Sequence, residues 1–188
     1  MVGIPALWLP IVVAAVLVFV ASSVIHMVLP YHKGDWKKVP QEDAFMEAAR
    51  KLEIPAGDYA VPYAGSSEAL KSEEFKEKAR KGPVAFMTVL PPGDPFAMGA
   101  QLGQWFVYLL VVGVFAAYVT GRALGPGAEY AAVFRFAGVT AFAGYGLAHL
   151  QRSIWYAQAW STTLKNVFDG LVYGLLTAGA FGWLWPDA

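Results

Sequence analysis

Four stretches of the chain are almost free of charge and long enough to cross a bilayer: residues 4–29, 101–121, 130–150 and 167–185. The hydrocarbon core is about 30 Å thick, so a spanning helix needs roughly 20 mainly apolar residues. The first two stretches carry no charge, the third carries Arg135 and the fourth Asp169. Pro5 and Pro10 fall near the start of the first, where a proline disturbs a helix least. The pattern predicts an all-α integral membrane protein with four transmembrane helices.

Between the first and second spans the pattern changes. Residues 30–100 hold ten of the 14 Lys and Arg and eleven of the 14 Asp and Glu. That is too long for a plain connection, so a small α+β extramembrane insertion is predicted there. Two short helices are expected. One covers 41–52, with Phe45, Ala48, Ala49 and Leu52 on a single face. The other is "SEEFKEKARKG", with Ser72 as N-cap, Glu73 and Glu74 in the first turn, Lys78, Arg80 and Lys81 in the last, and Gly82 as C-cap. "DYAVPY" and "PVAFMTVL" read as two short strands, with Pro62 holding the first to a sheet edge.

Charge near the span ends sets the expected direction. Lys33, Lys37, Lys38, Arg152 and Lys165 flank one side, and Arg122 flanks the other. The side richer in Lys and Arg should be cytoplasmic. The expectation is a bacterial inner membrane protein with residues 30–100 cytoplasmic and both termini periplasmic. Composition supports the membrane: 57% of the 188 residues are hydrophobic and 15% charged, against about 45–50% and about 25% in an average soluble domain. Net charge is zero, which argues against a nucleic-acid partner. There is no cysteine, which removes disulfides, thiolate metal sites and thiol catalysis.

With this threading the polar side chains of the spans gather in one leaflet. His26 lies one turn from the cytoplasmic end of span one, Gln101 and Gln104 open span two, His149 closes span three with Arg152 just beyond, and Asp169 sits in the first turn of span four. Lipid offers such groups no hydrogen bonds, so they should face the bundle interior or the headgroups. Three readings follow. The cluster is a structural network in which Asp169 pairs with Arg152 or a histidine. Alternatively it lines a pocket for an ion, a lipid headgroup or another small ligand. Or His26 and His149 ligate a metal or, as axial ligands, haem b. His32 lies past the span and reads as an interfacial residue. Asp169 with His149 could act as acid and base, but no nucleophile–base set accompanies them, so the reading leans away from an enzyme and requires no cofactor.

In the last span Gly170, Gly174, Ala178 and Gly182 recur every four residues. This small-residue stripe allows close helix packing, against span one of this chain or another protein. Trp183 and Trp185 mark the far interface.

Four segments carry a resemblance: "SSVIHMVLPYHKGDW", "PAGDYAVPY", "GPVAFMTVLPPGDPFAMG" and "AWSTTLKNVFDGLVYGLLTAGAFGWLWP". With these the chain resembles a group of small bacterial four-helix membrane proteins that has no assigned activity. The resemblance implies a membrane location and this architecture, and no chemistry. The function expected from the whole is a non-catalytic accessory or scaffold subunit of a larger inner-membrane complex, in contact with lipids and with other membrane subunits or itself. The alternative is a small carrier or binding protein for a lipid, ion or haem.

Overall fold

In a computed structural model, which describes residues 1–94 and 97–187, the chain is mostly helical with one small sheet. Pro95 and Phe96 of the insertion lie outside the described residues. The chain divides into two units: 1–36 with 98–188, and 37–97.

The first unit holds four long helices. After a 3-10 turn over Ile4–Leu7, with Pro5 as its second residue, α1 runs Trp8–Met27. The others are α5 (Gly99–Ala123), α6 (Tyr130–Tyr145) with a seven-residue continuation α7 (Leu150–Tyr156), and α8 (Trp160–Trp183). Three helices are long and apolar enough to cross a membrane: Ile4–Met27, Gly99–Ala123 and Tyr130–Tyr156. These mark the chain as a membrane protein. The fourth, α8, is long enough but carries Lys165, Asn166 and Asp169 and is rich in glycine, which lowers its mean hydropathy.

Each long helix packs on two others: α1 on α5 and α8, and α6 on α5 and α8. One buried cluster joins Leu7, Ile11, Ala116, Val133, Ala137 and Phe181. A second joins Val18, Leu109, Val112, Ala141, Tyr145 and Tyr173. Small side chains dominate where backbones come closest, since dispersion and close packing rather than expulsion of water drive association in lipid.

The glycine stripe shows this directly. A Cβ on Gly170 would lie 2.6 Å from Gly146 Cα, one on Gly174 3.1 Å from the Phe142 backbone nitrogen, and one on Gly182 2.6 Å from Tyr130 Cε2. On the facing helix, a Cβ on Gly138 would come within 2.9 Å of the Ala178 side chain. The stripe of α8 is thus occupied by α6 of the same chain. The partner is therefore neither span one nor another protein, the two the sequence suggests, but the third long helix.

Two helix boundaries differ from the apolar windows. Helix α8 starts at Trp160, seven residues before the predicted 167, because a helix can continue in polar sequence where hydropathy stops. Asp169 is therefore about two and a half turns into the helix, not in its first turn. The third span is also interrupted. Helix α6 ends at Tyr145 and a 3-10 turn covers Leu147–His149 before α7. The interruption falls at Gly146, where Gly170 presses on the chain.

The second unit contains α2 (Glu42–Lys51), β1 (Gly57–Val61), α3 (Ser67–Lys71), α4 (Glu73–Lys81) and β2 (Ala85–Val89). The strands pair antiparallel with Gly57 opposite Val89 and Val61 opposite Ala85. Strand β1 stops just before Pro62, which has no N–H for a ladder. Ser72 Oγ accepts the Phe75 N–H at 3.2 Å, and Gly82 closes α4 with φ 63°. Helix α3 is an element the sequence reading omits. It is five residues long, too short for a hydrophobic period to show. Residues 30–36, assigned to the insertion by charge, belong with the helical bundle.

Candidate functional site

The site starts where α1 ends. The Val28 and Leu29 amides both donate to Val24 O, and Pro30 opens a 3-10 turn over Pro30–His32. Lys33 N–H then donates to Pro30 O and Asp35 N–H to His32 O. These tight turns keep Tyr31, His32 and Asp35 against the bundle.

There they meet α8. His32 Nδ1 lies 2.6 Å from Asp35 Oδ2, and His32 Nε2 lies 2.8 Å from Asp169 Oδ2. The Tyr31 hydroxyl donates to Asp169 Oδ1. Lys165 Nζ donates to Tyr31 O at 2.5 Å and to Asp35 Oδ1 at 2.6 Å. Lys165 and Asp169 are four residues apart on α8, so they share a face. Asp169 is 2% exposed, and a carboxylate so deep in an apolar bundle requires partners such as these. His26, in the last turn of α1, lies against His32 with ring centroids 4.5 Å apart and the rings tilted by 41°.

Two groups in the turn have displaced proton affinities. Burial, then the hydrogen bond to Asp169, push the Tyr31 phenol well above its ordinary value, so it remains a donor. For Asp35, burial pushes the carboxyl up, but the bonds from Lys165 and His32 outweigh it and leave the group below the usual carboxylate range.

A cavity of about 350 Å³ opens on Asp169, lined among others by His26, Trp105, Tyr108, His149, Asn166 and Tyr173. The Tyr173 hydroxyl is buried and has no hydrogen-bond partner among the described residues. Its ring is fixed edge-on against Tyr145 at 5.7 Å. Trp105 is held by its Nε1–H, which donates to Ser22 Oγ at 3.0 Å. A slightly larger hollow of about 380 Å³ over Tyr31, Leu164 and Phe168 is an open apolar groove without comparable chemistry.

Among the residues expected from sequence, His26, His149 and Asp169 border one cavity. Asp169 pairs with a histidine and not with Arg152, but that histidine is His32. Arg152 Nε instead donates to Gln158 Oε1 at 2.8 Å, because α7 carries it past the interruption at Gly146. Gln101 and Gln104 are exposed and line neither hollow. The ring that meets His26 is His32, while His149 stands across the cavity lining. The members missed by sequence reasoning are Tyr31, His32, Asp35 and Lys165. The His32–Asp35 spacing beside Pro30, and the need of Asp169 for a partner, were the available signals.

Comparison of the chain with known protein families, with curated proteins and with solved structures finds no match.

Proposed function

We propose that this is a multi-pass membrane protein that binds a small polar ligand or ion in the cavity beside Asp169, and that all four long helices cross the bilayer. The observation that carries the reading is the pairing of a buried, fully partnered carboxylate with an unpartnered buried hydroxyl. Asp169 and Tyr173 border one cavity, and Tyr173 OH has a hydrogen bond to give. An unfilled buried donor costs about 1–3 kcal/mol, which a bound polar group would recover.

The fourth span is supported by the outward face of α8. Between the exposed Trp160 and Trp183 at its two ends, Leu164, Phe168, Leu171 and Leu175 are exposed large side chains. They follow a spacing of four, three and four, which makes one apolar stripe for lipid. The polar and glycine positions that lower its hydropathy point inward. The direction we infer places the cluster and residues 37–97 on the cytoplasmic side of a bacterial inner membrane, with both termini periplasmic. It rests on the Lys and Arg near the span ends.

An accessory or scaffold role loses its main motive, since the glycine stripe packs on α6 of the same chain. A binding role gains from the cavity. The test is a thermal-shift screen of the purified chain in detergent against metal ions, oxyanions and small organic acids and amines. At a hundredfold excess over Kd a ligand adds about 2.7 kcal/mol to stability, a plainly visible shift. The expected result is at least one stabilising ligand whose effect shrinks in Tyr173→Phe. A screen without any stabilising ligand, together with co-purification of a stoichiometric membrane subunit, would return the account to the scaffold role.

A further inference from the structure

We propose that His26, His32 and Asp169 form a binding site for one divalent first-row transition-metal ion, with its remaining coordination positions facing the cavity. The inference deepens the binding role above and rests on it.

The donor atoms come first. One ring nitrogen of each histidine and a carboxylate oxygen of Asp169 all lie within 4.8 Å of one another. Ligands around such an ion stand about 2.9–3.4 Å apart when the bonds are about 2.0–2.1 Å long. His32 Nε2 and Asp169 Oδ2, at 2.8 Å, are slightly closer than that spacing, so a small opening of this pair and a small closure of the His26 ring complete the set. Two imidazoles and one carboxylate suit zinc, iron(II), cobalt or nickel. The set holds no thiolate to draw copper(I).

The groups behind the donors carry the argument further. A ligating histidine usually gives its other N–H to a carboxylate, which fixes the ring and its tautomer. His32 has this arrangement, with Nδ1 on Asp35 Oδ2 at 2.6 Å. Asp35 is fixed in turn by Lys165 through its other oxygen. Asp169 is treated likewise, since Tyr31 holds Oδ1 while Oδ2 faces His32. The outer groups thus bind the atoms a metal would not use and leave His32 Nε2 and Asp169 Oδ2 facing each other, where an ion would replace the hydrogen bond between them.

Charge and room agree. Two carboxylates face one ammonium, so a neutral His32, the form that ligates a metal, leaves one negative charge for a cation to balance. The cavity is bordered by two of the three donors, His26 and Asp169, and by Tyr173, whose buried hydroxyl has no partner among the described residues. Three protein ligands with open positions beside a cavity are the arrangement of a metal that binds a further ligand, not of a closed structural site.

The experiment uses the full untagged chain in detergent, stripped with a chelator. It is titrated with Zn²⁺ in competition with a chromophoric chelator, and with Co²⁺ while its visible ligand-field bands are recorded. One ion per chain is expected. His26 packs its ring against His32 but takes no part in the Tyr31–His32–Asp35–Lys165–Asp169 network, so His26→Ala should fold and still lose more than about 100-fold in affinity. Asp35→Asn, behind the ligands, should lose about 10–100-fold. His149→Ala, on the cavity wall, should keep both stoichiometry and the cobalt spectrum. Equal Zn²⁺ affinity in the parent chain and a folded His26→Ala variant would overturn the proposal. So would loss of the cobalt bands only in His149→Ala. If no metal binds but an oxyanion or organic ligand stabilises the chain in a Tyr173-dependent way, the metal site is wrong and the binding role stands. If neither binds, both fall.

Discussion

At the scale of single residues, the account turns on how a buried carboxylate is satisfied. Asp169 receives Tyr31 on one oxygen and His32 on the other. Asp169→Ala leaves both donors unmatched at a buried position. The expected loss is about 2–3 kcal/mol, read as a lower unfolding midpoint in detergent. Asp35 adds a pH dependence whose sign follows from its shift. Its folded value lies below the ordinary one because Lys165 and His32 outweigh burial. Its contribution is therefore full above the unfolded carboxylate value of about 4 and is lost as the pH falls through the folded value. Melting the parent chain and Asp35→Asn between pH 6 and pH 3 should show a constant gap above that point and a shrinking one below it. A gap independent of pH would contradict the assignment. Asp169 and His26 were legible as members of a site because charges and histidines are rare in apolar stretches. His32 was not. Counting residues past a span carries the chain away from the membrane, and only the turn at Pro30 shows that it comes back.

At the scale of elements, the stripe on α8 fixes which helix it meets. Gly170→Ala would set a Cβ 2.6 Å from Gly146 Cα, where backbone and not a flexible side chain must move. A cost of about 1–3 kcal/mol is expected. Gly179, one position off the stripe, has only the Tyr130 hydroxyl within 4 Å, at 3.9 Å. Gly179→Ala should be neutral or stabilise by up to about 1 kcal/mol through helix propensity. Parallel denaturation of the two variants is the check, and equal midpoints would argue that α6 and α8 are less closely packed. The existence of the stripe could be read from the sequence, since spacing by four is a property of one helix. Its partner could not, because of the facing positions only Gly138 and Gly146 are small, and Phe142 between them breaks any small-residue stripe. The start of α8 was hidden for a related reason. Hydropathy measures apolar length, whereas Trp160 to Asn166 are helical and polar.

At the scale of the whole molecule, the chain is a helical membrane protein with a small two-stranded sheet in its charged insertion, and no described residue of 37–97 is fully buried. Sequence period and charge block were enough to separate these parts. The division between them lies at Lys37, not at Pro30, because the turn residues are tied to α8 by side chains that hydropathy cannot weigh. The absence of cysteine makes sidedness directly measurable. Single cysteines at Gly34 and Glu77 should react with an impermeant maleimide only in inside-out vesicles. One at Asp187 should react only in right-side-out cells. Labelling of 34 and 187 from the same side would leave α8 short of a crossing.

The closure of the bundle around Asp169 depends on a contact between a turn after α1 and the middle of α8, 137 residues apart in sequence. A double-mutant cycle of His32→Ala and Asp169→Asn, read by reversible unfolding in detergent, measures that contact alone. The account expects a coupling energy of about 1 kcal/mol or more, at the upper end for interhelical polar contacts in membranes. Two losses that simply add, within about 0.3 kcal/mol, would mean that His32 and Asp169 do not meet and that the site is not assembled as described.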